Sequence, residues 1–209
     1  MKILLVNGSP RKNGTTRAAL EVGMDILREQ GMETEYMWIG NKPVQDCTAC
    51  GVCRQRKDNR CSMDPDIVNV LLQKAGDADG FVFATPVHFS HPTGSLLSVL
   101  DRVFYAGREV LRGKPGCSLA VTRRAGATAA LQVLNLYYTY NEMPLVSGSY
   151  WAMVHGRGPE DITKDLEGLQ TIRNLARNLA YLVKGLQAAR DAGLEKPENE
   201  YGARTHFIR

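Results

Sequence analysis

Residues 3–16 read Ile3-Leu4-Leu5-Val6-Asn7-Gly8-Ser9-Pro10-Arg11-Lys12-Asn13-Gly14-Thr15-Thr16. Ile3 to Val6 is apolar without alternation. A strand covered on both faces has this composition, and such strands belong to parallel sheets. A polar loop follows, carrying Arg11 and Lys12. From Thr16, Leu20, Met24 and Leu27 recur at spacings of four and three, and Gly31 offers a C-terminal cap. Glu35 to Ile39 predicts a second strand. Strand, loop, helix and strand form the repeating unit of an α/β fold.

The alternation continues along the chain. Asp64-Pro65-Asp66 opens a helix through Lys74, with an Asp cap and Pro in the first turn. Gly80 to Ala84 is a third buried strand, and Leu96, Leu97, Leu100, Val103 and Phe104 mark a helical face. Cys117 to Thr122 is a fourth strand, followed by an aromatic-rich helix to about Asn141. Leu145-Val146 predicts a short fifth strand. Ile162 to Leu186 carries one long amphipathic stripe ending near Gly193. Five strands with right-handed crossovers suit a parallel sheet in the order 2-1-3-4-5. Its ligand then sits beyond the carboxyl ends of the strands, at the switch between strands one and three.

Residues 1–194 are read as one domain with a cysteine-rich insertion at about 40–65. Residues 195–209 form a polar tail, loose at its end, with a basic stretch from Arg204 to Arg209. At 209 residues the chain can bury roughly 70% of the surface its unfolded form exposes. A net charge of +4 is too small to imply nucleic acid. No apolar run is long enough to span a membrane, and the one ending at Val6 is too short for a signal peptide. A cytoplasmic protein is expected.

The loop at 8–16 has the chemistry of an anion site. Backbone N–H groups in a first helical turn lack partners, and the helix dipole favours negative charge. Ser9, Asn13, Thr15 and Thr16 add short donors, and Arg11 or Lys12 adds charge. The loop matches neither the dinucleotide fingerprint nor the P-loop, so a single phosphate monoester fits better. The same residues would also serve a plain capped turn.

Four of the five cysteines are crowded at Cys47, Cys50, Cys53 and Cys61. Three at spacing three can each reach a different iron of one cubane, with a fourth from further on. Zinc sites more often use two well-separated knuckles. An iron–sulfur cluster, free or regulatory thiols, and a zinc or disulfide set all remain open. Arg54, Arg56, Lys57 and Arg60 either offset a cluster's charge or are solvated. Cys117 sits in a buried-strand pattern and is read as inert core.

The loop Gly8 to Thr16 resembles the phosphate loop of the NADPH-dependent FMN reductase family, within the flavodoxin-like flavoproteins. Thr85-Pro86-Val87-His88-Phe89, with Pro92-Thr93-Gly94 and Asp101-Arg102, resembles the family's second loop. Thr122-Arg123-Arg124-Ala125-Gly126 is similar to the third loop of one branch, as are Tyr150-Trp151 and Met153-Val154-His155-Gly156. The resemblance implies a flavodoxin-like three-layer sandwich that binds FMN. Ser9, Arg11, Asn13, Gly14, Thr15 and Thr16 would hold its phosphate. Pro86, Val87, His88 and Phe89 would run along the ring and ribityl chain, with His88 replacing the family's usual aromatic. Thr122, Arg123, Arg124 and Gly126 would face the ring's other edge.

The implied activity is hydride transfer from NAD(P)H to the flavin, then to a quinone, flavin, metal or nitro or azo acceptor. No side chain is nominated as catalytic. The cysteine spacing resembles that of iron–sulfur flavoproteins, which pair FMN with a [4Fe-4S] cluster; the alternative is therefore an electron carrier that exchanges with a redox protein. Tyr150 and Trp151 are read either as the wall of an acceptor pocket or as core. A homodimer or larger homo-oligomer is expected, with Tyr137, Tyr138 and Tyr140 at the contact or packed on the sheet.

Overall fold

The computed structural model describes residues 1–203 and 205–207. The elements in order are β1 (Lys2–Asn7), α1 (Thr15–Glu29), β2 (Glu33–Trp38), α2 (Val52–Arg56), α3 (Ile67–Asp77), β3 (Gly80–Pro86), α4 (Gly94–Ala106), α5 (Arg108–Leu111), β4 (Gly116–Thr122), α6 (Ala127–Tyr140) and β5 (Met153–His155). A 3-10 helix (Pro159–Lys164) and α7 (Leu166–Asp191) complete the chain. The sheet order is β2-β1-β3-β4-β5, all parallel.

Successive strand residues point to opposite faces, and this explains the unbroken apolar run of β1. Ile3 and Leu5 pack with α1 and α7, beside Val82 and Leu119. Leu4 and Val6 pack with α3 and α4, beside Phe81 and Phe83. All four are buried to 1% exposure or less, each worth about 1.5–3 kcal/mol of burial. Tyr138 closes the second core. Its ring stacks on Phe83 at 5.4 Å, and its hydroxyl donates to the Cys117 carbonyl at 2.6 Å.

The fifth strand differs from expectation. Leu145 makes a single bridge to Gly116, and Val146 N–H donates to the Gly116 carbonyl at 2.8 Å. The chain then leaves the sheet and presses Gly148 onto α7, where a Cβ would lie 3.1 Å from the Thr171 carbonyl. It returns as Met153–His155 against Ala120–Thr122. An apolar pair thus touched the right strand at the wrong end. The cap of α3 is Asp66, whose carboxylate accepts from Val68 N–H at 2.9 Å, and not Asp64. The long terminal stripe divides at Asp165, which caps α7 through Gly168 N–H at 2.9 Å.

The tail is tied down as far as Tyr201. The Tyr201 hydroxyl donates to Glu142 at 2.7 Å and accepts from Arg112 at 3.0 Å. Of the basic stretch 204–209, residues 204, 208 and 209 lie outside the described residues. Among the described residues no helix is long and apolar enough to cross a membrane.

Cys117 lies in β4 and is 1% exposed, as core should be. Burial pushes its thiol up from 9.0 to about 12. Above pH ~9 the unfolded chain sheds a proton that the folded chain keeps, so stability falls as pH rises towards 12, at about 1.4 kcal/mol per pH unit. Urea denaturation between pH 9 and 11 is expected to show a shallower fall for Cys117→Ala than for the parent. Equal slopes would mean the thiol ionises in place.

Candidate active site

Four loops meet at the carboxyl end of the sheet. The turn after β1 is fixed first. Gly8 N–H donates to the Ala84 carbonyl at 2.8 Å, and Thr93 Oγ1 donates to the Gly8 carbonyl at 2.7 Å. A Cβ on Gly8 would lie 2.6 Å from Leu96 Cδ2 and 3.0 Å from the Ala84 oxygen, so only glycine lets β1 and α4 approach this closely. Asn7 Oδ1 accepts from Ser9 N–H at 2.9 Å, and Ser9 Oγ accepts from Arg11 N–H at 3.1 Å. Trp38 Nε1 donates to the Ser9 carbonyl at 2.7 Å, and Tyr36 holds the Asn7 amide at 2.9 Å.

Helix α1 then starts at an extended Gly14 with no side-chain cap and no acid in its first turn. Its leading N–H groups and the positive end of its dipole are thus left for an external anion. Thr16 is buried, Thr15 half-buried, and Arg11 and Asn13 exposed. The Asn13 amide oxygen accepts from Arg17 at 3.1 Å.

The loop after β3 is a hairpin. His88 and His91 exchange backbone bonds at 2.9 and 3.0 Å, around Phe89 (φ 49°) and Ser90 (φ 65°). Val87 N–H donates to the Val121 carbonyl at 2.9 Å, which joins this loop to β4. His88 is exposed and Phe89 is 99% exposed at the hairpin tip. After β4, Thr122 Oγ1 donates to the Ala125 carbonyl at 3.0 Å, and Arg123 and Arg124 are exposed. Gly126 has φ 92°, and a Cβ there would meet Ser90 Cα at 2.9 Å. The second and third loops therefore touch. The loop after β5 closes the ring: a Cβ on Gly156 would meet Thr15 at 3.2 Å. Beside it, His155 Nδ1 lies 3.2 Å from Asp165.

The structure thus brings the three sequence-marked loops together. Thr93, part of the second sequence-marked loop, supports them, as do Tyr36 and Trp38, which were missed because nothing in their local pattern sets them apart. Tyr150 and Trp151 are 54% and 57% exposed and precede β5 at its amino end. They are therefore not core. Tyr138 is core, Tyr137 donates to Asp101 at 2.5 Å, and Tyr140 is exposed.

The family-model comparison matches residues 1–158 to the NADPH-dependent FMN reductases. The chain belongs to this family of flavodoxin-like proteins. An iron–sulfur flavoprotein of Methanocaldococcus jannaschii is 30% identical over 193 residues, covering 88% of this chain and 98% of the relative. An iron–sulfur flavoprotein of Methanosarcina thermophila is 29% identical over 196 residues, covering 91% and 100%. The crystal structure of RosB with a bound riboflavin-phosphate derivative superposes with a TM-score of 0.69 at 17% identity, over 100% of this chain and 92% of that one. That likeness shows the shared fold.

The clustered cysteines of this FMN reductase family member gather apart from these loops. Cys47, Cys50, Cys53 and Cys61 line one small hollow together with Arg102 and Tyr105. Left-handed backbone at Ala49 (φ 53°) and Gly51 (φ 74°) turns the chain around it, and α2 carries Cys53. Buried Asn69 holds Cys61 from both sides, accepting from its N–H at 2.8 Å and donating to its carbonyl at 3.0 Å.

Arg102 Nε donates to Cys61 Sγ at 3.3 Å. Burial opposes the Arg102 charge, but Asp66 and Cys61 overcome that and hold it firmly protonated. Burial and the charges of the other three thiols push Cys53 up, whereas a hydrogen bond from Ser62 pulls Cys50 down. All five cysteines are free. Among the described residues no three His, Cys, Asp or Glu side chains are gathered tightly enough to hold a metal ion. A cubane needs wider spacing, since each thiolate binds a different iron. Four thiols facing one hollow suit that donor set.

Proposed function

We propose that this chain is an FMN-dependent oxidoreductase whose clustered cysteines hold a [4Fe-4S] cluster as a second redox group. The observation that carries the flavin half is the uncapped start of α1 at Gly14, inside a ring of four loops. Ser9, Arg11, Asn13, Gly14, Thr15 and Thr16 would take the phosphate there. Pro86 to Phe89 and Thr122 to Gly126 would take the ribityl chain and the ring. The observation that supports the cluster half is the hollow shared by all four thiols, together with the iron–sulfur flavoproteins to which the chain is similar.

Bound FMN supplies the hydride and electron chemistry, and the protein orients and tunes it. Buried Thr122 and the glycine turn at Gly126 fix the third loop, so its backbone N–H groups can meet charge on the ring edge. Exposed Arg123 and Arg124 make the approach to that edge positive, which suits an NAD(P)H phosphate. We take NAD(P)H as the reductant, and a small molecule or redox protein as the acceptor. A cytoplasmic homodimer belongs to the same proposal.

A second reading, an electron carrier that does not use NAD(P)H, is favoured by the names of the relatives. Anaerobic mixing with NADPH, and separately with NADH, distinguishes the two. Bleaching of the flavin band near ~450 nm by either nucleotide is the expected result. A flavin reduced by dithionite but by neither nucleotide would leave the carrier reading.

A further inference from the structure

Beside the thiol hollow lies a second, larger cavity of about 780 Å³, within the usual range of small-molecule sites. Cys53, Tyr105 and Ala106 line both cavities and form the wall between them. The flavin loops are elsewhere. Helix α4 starts at Gly94 beside those loops and reaches this wall at Ala106, 12 residues later, a rise of about 18 Å.

The lining combines aromatic rings with positive charge. Phe104, Tyr105, Tyr140 and Tyr201 supply the rings. Arg54, Lys57 and Arg108 supply the cations, and Glu109 is already paired with Arg112 at 3.4 Å. Arg54 lies over the Tyr105 ring at 4.3 Å. Among the described residues no acidic side chain pairs with Arg54 or Lys57. Arg108 is already paired with Glu142 through Nη2 at 2.8 Å. Arg54 and Lys57 line this cavity and not the thiol hollow. Both are exposed at the cavity's edge, where their positive charge attracts an anion.

We propose that this cavity binds a planar aromatic dianion, its ring among the tyrosines and its anionic groups on Arg54 and Lys57. The site goes beyond the flavin reading and stands on its own lining. It gives such a molecule a seat against Cys53.

Calorimetric titration of the FMN-saturated protein with anthraquinone disulfonate tests this. One site per chain is expected, with naphthoquinone, which lacks the charges, binding more weakly. The Arg54→Ala/Lys57→Ala double variant should raise Kd about tenfold or more, with FMN content unchanged. Gly8→Val, which disturbs the flavin loop, should bind the dianion as the parent does. Absence of binding, or an unchanged Kd in the double variant, overturns the proposal. So does binding lost in Gly8→Val but kept in the double variant, which would place the dianion on the flavin loops. Failure of FMN to bind at all would sink the flavin reading and leave this result readable.

Discussion

Arg102→Leu is expected to destabilise the protein by roughly 3–5 kcal/mol, the usual cost of leaving the partners of a buried charge unpaired. The Arg102 side chain is fully buried. Its guanidinium pairs with Asp66 and donates to the Met63 carbonyl at 2.6 Å, the Gln45 carbonyl at 3.2 Å and Cys61 Sγ at 3.3 Å. One side chain thus ties both ends of the cysteine segment to α4. Removing it strands the Asp66 carboxylate that also caps α3. Leucine fills the volume and satisfies none of these acceptors. Arg102→Lys should lose less stability but still loosen the segment, because a point ammonium cannot match four acceptors held by a planar fork. Urea denaturation reads the first effect, and limited proteolysis between residues 45 and 63 reads the second. A loss below about 1 kcal/mol for Arg102→Leu would mean the segment is anchored by other contacts.

Gly8→Val is expected to weaken FMN binding by about 100-fold or more, close to 3 kcal/mol, at a stability cost of about 1–3 kcal/mol. The first added carbon already meets Leu96 Cδ2 at 2.6 Å, Leu96 Cβ at 2.9 Å and the Ala84 oxygen at 3.0 Å. Leu96 Cδ2 can swing aside, but its Cβ and the Ala84 oxygen cannot. The turn must therefore lift from β3 and break the Gly8–Ala84 and Thr93–Gly8 hydrogen bonds. Ser9 and the start of α1 move with it. Gly14→Ala is the milder control, since its Cβ would meet the Arg11 Cβ at a tolerable 3.2 Å. Fluorescence titration of FMN gives both affinities. A parent-like affinity for Gly8→Val would show that the phosphate is not held by this turn.

The parallel sheet was legible because β1, β3 and β4 are buried on both faces, which leaves an unbroken apolar run in each. The loop after β1 was legible because its small polar residues follow such a strand directly. Leu145-Val146 misled because burial alone does not separate a bridge from a strand. The support of both centres was hidden for a different reason. Arg102 reaches Cys61 across 41 residues, and Trp38 reaches Ser9 across 29. Such contacts depend on which helix packs beside which strand. Arg102 lay inside a recognisable motif, but its bonds to the cysteine segment had no local signature. Arg54 and Lys57 pointed away from the thiols for the same reason: α2 is a single short helix whose orientation the cysteine spacing does not fix.

Assay of flavin, iron and acid-labile sulfide on one anaerobically purified sample tests the two-centre account most directly. The account predicts about one FMN, four irons and four sulfides per chain, with Cys53→Ser losing the iron and keeping the flavin. Flavin without iron, or a protein that takes up no flavin when FMN is added, would contradict it.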